Sequence, residues 1–236
     1  MAGVLLDPAR AAAVAAALAR VEPGMTLGLG SGRAVFGLVE ALATRWPGGP
    51  PLRAVAASSA TEAMARTAGI ELLGLDDEVT LDLAFDGADE VGPSLGLVKG
   101  GGGALLREKL VLAAARRVTI LAEARKRVRR LGETRPLPVE VVRFAWPATR
   151  RRLLTLVPEA ALRIGPGNAA VVTEEGHYLL DCQVPEIDPH VLAAAVKATL
   201  GVVEHGLFLD QAGEVLLGHP DGAVEVLIRE RGGGLP

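Results

Sequence analysis

Between Asp86 and Lys109 the chain reads DGADEVGPSLGLVKGGGGALLREK. It gathers three carboxylates (Asp86, Asp89, Glu90), the lysine Lys99, four successive glycines (Gly100 to Gly103) and then Glu108 within an apolar run. Glycine loses more conformational freedom on ordering than any other residue. Four in a row beside charged groups therefore point to backbone N–H groups that must approach something closely. Ala104 to Arg117 has helical period, and Leu105, Glu108 and Leu112 share a face at i, i+3 and i+7. A carboxylate on an apolar stripe is costly to leave unpaired. Held beside an acid pair and a lysine, it has the surroundings from which a general base is made. The competing reading makes Glu108 the structural partner of an arginine and the glycines a flexible loop.

A second stretch with chemical meaning is GLGSGRA at 28–34. It follows the short apolar strand MTLGL (25–29) and precedes a helix from about Val35 to Arg45. Loop amides and a helix N-terminus both favour an anion, so strand, glycine loop and helix in succession predict a phosphate site. The dinucleotide pattern is incomplete, because Arg33 stands where a third glycine is needed. No acidic residue ends the next strand to hold a ribose, which disfavours a nicotinamide cofactor. A plain structural turn is the alternative.

The elements that must position these residues alternate. Asp7 and Pro8 are a cap and first-turn pair opening an Ala-rich helix that closes before Pro23-Gly24. LRAVAA (52–57) is a strand. Ser59 and Glu62 then have capping-box spacing, which leaves Ser58 and Thr61 to face a ligand. IELLGL (70–75) is extended, and LDLAF (81–85) delivers Asp86. The Glu108 helix follows, and VTILA (118–122) leads into Glu123, Arg125 and Lys126. Strands alternating with helices predict a doubly wound, mostly parallel sheet with its ligand at the carboxyl ends of the strands. Ser31, Ser58, Asp86 and Lys126 all follow strands, which predicts that they converge.

After the proline-rich LGETRPLPVE (131–140) the pattern changes. A strand at 139–145, a helix at 148–157, a strand at 161–165, a hairpin across 170–183, a helix opened by Asp188-Pro189 and a strand at 201–209 follow in order. This β-α-β-β-α-β order predicts a smaller ferredoxin-like α+β domain. GEVLLG (213–218) and AVEVLIRE (223–230) then return to the first sheet. The expected division is a discontinuous Rossmann-like domain, 1–131 plus 207–236, and an inserted domain, 132–206.

Composition removes other classes. Half of the 236 residues are hydrophobic, and the net charge of −3 gives no reason to expect nucleic acid. The basic run RKRVRR (125–130) stands alone, as a solvated surface or a contact to one anion. The single Cys182 excludes an internal disulfide, and with four scattered His it argues against a transition-metal site. AAAVAAALA (11–19) follows Asp7-Pro8 rather than a basic segment, and no stretch is long enough to span a membrane. A cytoplasmic protein without cofactor is expected.

With GLGSG, DGADE and KGGGGALLREK in order, the chain resembles the A-type ribose 5-phosphate isomerases over essentially its whole length. LPVEV (137–141), GVVEHGLF (201–208) and PDG (220–222) belong to the same resemblance. It implies an aldose–ketose isomerase of the non-oxidative pentose phosphate pathway, acting on a sugar phosphate and assembled as a homodimer or homotetramer through its small domain. It places the base on Glu108, the acid pair on Asp86 and Asp89, and the lysine on Lys99. Contacts to the substrate fall on Ser31, Gly32, Arg33 and Ala34, on Asp86, Gly87, Ala88 and Asp89, on Lys99 and Gly100, Gly101 and Gly102, and on Lys126. No metal ligand is implied. The family usually has T-G-S-T in the phosphate loop. Here it is Ser31-Gly32-Arg33-Ala34, which loses two hydroxyls and gains a guanidinium.

For such an isomerase, one carboxylate moves a proton between C1 and C2 through an enediolate. The amides of Gly100 to Gly102 and the Lys99 ammonium are the expected donors to the enediolate oxygen. Asp86 and Asp89 hold the sugar hydroxyls and pass the proton that opens the ring; a Mg²⁺ site on them is the disfavoured alternative. An amino-sugar phosphate isomerase–deaminase would need a His near the acidic motif, and none lies between Met1 and Gly176. A sugar-phosphate sensor would need neither the base nor the oxyanion donors.

Overall fold

The structure is a computed structural model that describes residues 7–76 and 78–229. The outer ends of the expected large domain and the last residue of AVEVLIRE lie outside that range. In chain order, α1 (Pro8–Leu18), β1 (Thr26–Leu29), α2 (Arg33–Arg45), β2 (Arg53–Ala56), α3 (Ser59–Thr67), β3 (Glu71–Leu72) and β4 (Leu83–Gly87) come first. Then come β5 (Glu90–Val91), β6 (Leu97–Val98), α4 (Leu105–Ala113) and β7 (Val118–Glu123). Next are β8 (Leu137–Val141), α5 (Trp146–Leu153), β9 (Ala160–Leu162), β10 (Tyr178–Cys182), α6 (Pro189–Lys197), β11 (Val202–His205) and β12 (Leu207–Phe208). β13 (Glu214–Gly218) and β14 (Val224–Ile228) close the chain.

These elements form two compact units. Among the described residues, the first takes 7–76, 78–87, Val111–Arg125 and 210–229; the second takes Ala88–Leu110 and Lys126–Leu209. The division differs from the expected one, since 88–110, 126–131 and 207–209 group with the second unit.

The first unit is an α/β layer structure on a seven-stranded sheet of order β14-β13-β7-β4-β1-β2-β3. Pairing is parallel from β13 through β3, and β14 adds to the edge antiparallel. Parallel strands covered on both faces should be buried throughout, and β1 and β7 are buried at every residue. Leu27, Leu29, Phe85 and Leu121 pack with Val14 and Ala17 of α1 and Val35, Leu38 and Leu42 of α2. As the Asp-Pro pair predicts, Asp7 caps α1, accepting from the amides of Ala9 at 3.0 Å and Arg10 at 3.3 Å.

The second unit holds two antiparallel sheets, of order β11-β8-β10-β9 and β12-β6-β5. Leu137, Val139 and Leu180 pack with Leu153 of α5 and Leu192 and Val196 of α6. Asp188 caps α6 through the amides of His190 and Val191.

The strand expected at 139–145 is Leu137–Val141 and the helix expected at 148–157 is Trp146–Leu153. Three further elements differ from expectation. The first arm of the 170–183 hairpin makes only isolated bridges, Ile164 to Ala170 and Val172 to Tyr178, while β10 takes β8 and β9 as partners. α4 stops at Ala113 rather than Arg117, and the Arg116 amide bonds the Leu81 carbonyl instead. The strand expected over 201–209 breaks at Gly206, so that β11 and β12 join different sheets. The Gly206 amide bonds Pro138 and its carbonyl accepts from Lys99. A Cβ there would lie 2.1 Å from the Lys99 carbonyl oxygen, so only glycine permits the crossing.

Candidate active site

The first unit carries the glycine loop and Asp86. β1 runs out at Leu29, and the Gly30 amide bonds the Phe85 carbonyl of the neighbouring β4 at 2.9 Å. The Asp86 carboxyl occupies the space a side chain at residue 30 would fill: a Cβ would meet its Cγ at 2.0 Å. Asp86 is fully buried and its Oδ1 accepts from the amides of Gly87 at 2.7 Å and Ser31 at 3.3 Å. The carboxylate at the end of one strand thus holds the loop that follows the next.

Hydroxyls complete that loop. Ser58 lies 2.9 Å from both Ser31 and Thr61, and Thr61 donates to the Gly30 carbonyl at 2.8 Å. The expectation that Ser58 and Thr61 face a ligand is thereby corrected: both build the loop. The cap of α3 is Ser58 rather than Ser59, since Ser58 Oγ accepts the Thr61 amide at 3.2 Å. At the start of α2 the cap residue is Gly32, at φ +97°, and among the described residues no side chain caps the helix. A 13-residue helix whose N-terminus receives no internal capping group retains donors and positive potential for an anion. Arg33 there is exposed and Ala34 buried.

The second unit carries the rest. The Ala88 carbonyl accepts from Lys126 Nζ at 2.7 Å, which ties the basic run to the acidic segment. Elsewhere in that run Arg129 pairs with Glu133 and Arg130 lies 3.7 Å from Glu186, as expected of a solvated surface. Asp89 Oδ2 accepts the Gly101 amide at 2.8 Å. That contact narrows the expected oxyanion donors, because the Gly101 N–H is already directed at Asp89. Glu90 is fully buried and accepts from the amides of Gly132, Thr134 and Arg135 and from the Thr134 hydroxyl, at 2.5–2.8 Å. Four donors satisfy it completely, so the third carboxylate of DGADE is a loop anchor.

Lys99 and Glu108 meet. Both are buried, 3% and 5% exposed, and Lys99 Nζ lies 3.2 Å from Glu108 Oε2. Lys99 leaves the end of β6, whose neighbour β12 supplies Phe208; the ammonium sits 5.4 Å from that ring centroid. Glu108 shares the buried face of α4 with Leu105 and Leu112, as the helical period predicts. Lys99 is thus a partner of Glu108.

Several contributors gave no sign in the sequence. Lys109 donates to Glu204 at 2.8 Å and to the carbonyls of His205 and Leu207, and stands 4.6 Å from the Phe208 ring. It fixes the turn of α4 that bears Glu108 to the strands beside Lys99. Burial pulls the Lys109 ammonium below its usual range, against the hydrogen bond it donates to Glu204. Burial alone would raise Glu204, but the Lys109 and Lys197 hydrogen bonds outweigh it and hold the carboxyl at about 2. Burial and the Lys109 charge together lower His205 to about 4, so it stays neutral. Arg163, more than sixty residues from the glycine run, donates to the carbonyls of Gly100 at 2.8 Å and Gly101 at 3.1 Å.

Known proteins resemble this chain over most of its length. The family model described as ribose 5-phosphate isomerase A (phosphoriboisomerase A) matches residues 53–222. A ribose-5-phosphate isomerase A from Roseiflexus castenholzii is 49% identical over 213 residues, 89% of this chain and 91% of that protein. The chain belongs to the ribose 5-phosphate isomerase A family.

Solved structures agree with that placement. The ribose 5-phosphate isomerase of Plasmodium falciparum superposes with a TM-score of 0.90 at 30% identity, over 95% of this chain and 100% of that one. A D-ribose-5-phosphate isomerase in complex with phospho-erythronic acid gives 0.88 at 32% identity, over 93% and 97%. Within this family member, the matched residues include Asp86, Asp89, Lys99, Glu108 and Lys126, while the loop at 28–34 lies upstream of the matched span. Among the described residues no helix is long and apolar enough to cross a membrane.

Proposed function

We propose that this chain interconverts D-ribose 5-phosphate and D-ribulose 5-phosphate through an enediolate, with Glu108 moving the proton between C2 and C1. The observation that carries the reading is the buried Lys99–Glu108 contact at 3.2 Å beside the glycine run. A carboxylate on a rigid helix reaches two adjacent carbons without rearrangement, which accounts for the proton moved from C2 to C1; the proton of the C2 hydroxyl passes to the C1 oxygen in the same interconversion. The Lys99 ammonium, already desolvated, needs no reorganisation to stabilise charge developing on the substrate oxygen.

Asp89, oriented by the Gly101 amide, opens the furanose ring by exchanging a proton with the ring oxygen and the C1 hydroxyl. Asp86 holds the loop of residues 30 and 31 and shares the sugar hydroxyls with Asp89. The phosphate is bound by Ser31 to Ala34 at the uncapped start of α2, with Lys126 as a second basic contact. That binding energy, remote from the reacting carbons, orients C1 and C2. A D-ribose-5-phosphate isomerase of solved structure is in complex with phospho-erythronic acid, a molecule that carries both a phosphate and a carboxylate, which supports a sugar phosphate as the ligand here.

The same reading extends to architecture and assembly. The antiparallel order β11-β8-β10-β9 supports a ferredoxin-like small domain set into a doubly wound one. Exposed Phe144, Val191 and Leu200 on that unit support a homodimer or homotetramer. The test of the function is twofold. Ribose 5-phosphate should yield ribulose 5-phosphate in a coupled assay, and its C2 proton should exchange with deuterated solvent. Product without any C2 exchange would count against an enediolate, and no product at all against the activity.

A further inference from the structure

The glycine run is the least self-supporting part of the site, since it has no side chains and little local hydrogen bonding of its own. Gly100 stands at φ +104° and Gly103 at φ +86°, conformations that side chains resist, and one short turn joins the Gly103 amide to the Gly100 carbonyl at 3.0 Å. Amides that are to stabilise a transition state must nevertheless be held before the reaction begins. What holds them comes from elsewhere in the second unit. Arg163 Nη1 donates to the carbonyls of Gly100 and Gly101. Two more of its donors are taken by Asp181 on β10: Nε meets Oδ2 at 2.9 Å and Nη2 meets Oδ1. A planar guanidinium gripped on one edge by a carboxylate presents its other edge in a fixed direction.

A trans peptide is flat, so its N–H points opposite to its C=O. Fixing the Gly100 carbonyl on Arg163 therefore turns the Gly101 amide the other way, and that amide meets Asp89 Oδ2 at 2.8 Å. Fixing the Gly101 carbonyl turns the Gly102 amide away from Arg163 in the same manner. We propose that Arg163, aligned by Asp181, is a positioning residue for the isomerase reaction: it sets the peptide planes of the glycine run, and through them the Asp89 carboxylate and the Gly102 oxyanion donor. It touches no reacting atom. The inference rests on the roles proposed for Asp89 and the glycine amides in the isomerisation.

The experiment compares Arg163→Met, Arg163→Lys and the parent for kcat, KM, melting temperature and inhibition by two probes, inorganic phosphate and phospho-erythronic acid. Displaced donors should lower kcat of Arg163→Met about 10- to 100-fold. Phospho-erythronic acid, which carries the enediolate-like carboxylate, should weaken by a comparable factor while inorganic phosphate keeps its inhibition constant. Arg163→Lys retains the charge without the fork and should fall between parent and Arg163→Met. A merely structural Arg163 would lower the melting temperature and leave the ratio of the two inhibition constants unchanged, which overturns the proposal. A kcat within about twofold of the parent overturns it equally. Should Arg163→Met fail to fold, Asp181→Asn replaces it, with the same change of ratio at smaller size expected and an unchanged ratio again decisive. Glu108→Gln in the same assay separates the two readings: turnover near the parent's would remove Glu108 as base, while the inhibitor ratio still judges Arg163.

Discussion

Replacing Glu108 by Gln keeps volume and polarity and removes only the carboxylate. The lost proton transfer is worth about 10²–10⁴ in rate, or roughly 3–5 kcal/mol of transition-state stabilisation. The structure adds a second cost. Glu108 and Lys99 are both buried and 3.2 Å apart, so the variant leaves a buried ammonium without this carboxylate. Breaking a buried pair from one side costs about 3–5 kcal/mol, a melting-temperature loss of roughly 6–20 °C for a chain of this size. Activity alone would thus confuse chemistry with folding. The double variant Glu108→Gln/Lys99→Met removes the ammonium as well, and its loss of stability should fall short of the sum of the two single losses by about 0.5–3 kcal/mol. Its activity should not recover. The assay is loss of the C2 proton signal of ribose 5-phosphate in deuterated buffer, read per folded enzyme at a temperature well below every transition. If Glu108→Gln exchanges that proton within about tenfold of the parent, Glu108 is a structural carboxylate and the proposed mechanism is wrong.

Arg33→Ala should raise KM and leave kcat nearly unchanged, because a phosphate contact is made alike in ground and transition states; a fall in kcat at constant KM would place Arg33 in the chemistry. Dialysis against a chelator should leave turnover intact, and activity restored only by Mg²⁺ would mean that the Asp86 and Asp89 roles are misassigned. Gly206→Ala has no room for its methyl against the Lys99 carbonyl and should cost at least about 2 kcal/mol by denaturant titration; an unchanged midpoint would contradict the tight strand crossing at that residue. His205, lowered from 6.5 to about 4 by burial and Lys109, binds fewer protons folded than unfolded between those values. Its stabilisation is therefore complete above pH 6.5 and is lost as pH falls toward 4, by on the order of 3 kcal/mol in all. His205→Gln should flatten that part of the stability profile, and an unaltered profile would assign the acid loss elsewhere.

Much of this site could be read from residue order, because its chemistry is packed into one continuous stretch. Asp86, Asp89, Lys99, the glycines and Glu108 span 23 residues, and local rules suffice to put Asp86 near a strand end and Glu108 on a buried helix face. The two Asp-Pro caps and the alternation that makes the parallel sheet are local in the same sense. What residue order left undecided is who holds whom across long separations. Glu90 looks like Asp86 and Asp89 in sequence, yet four donors from residues 132–135 make it an anchor. Ser58 and Thr61 look like ligand hydroxyls, and the loop at residues 30 and 31 takes both. One apolar run, 201–209, divides at Gly206 into two sheets because the Lys99 carbonyl leaves no room for a side chain. Arg163 reaches the glycine run from more than sixty residues away. Periodicity and motif spacing report which face a residue takes within its own element. A buried donor or acceptor is satisfied by whatever group the packed fold brings within about 3 Å of it, and only the tertiary structure decides which group that is.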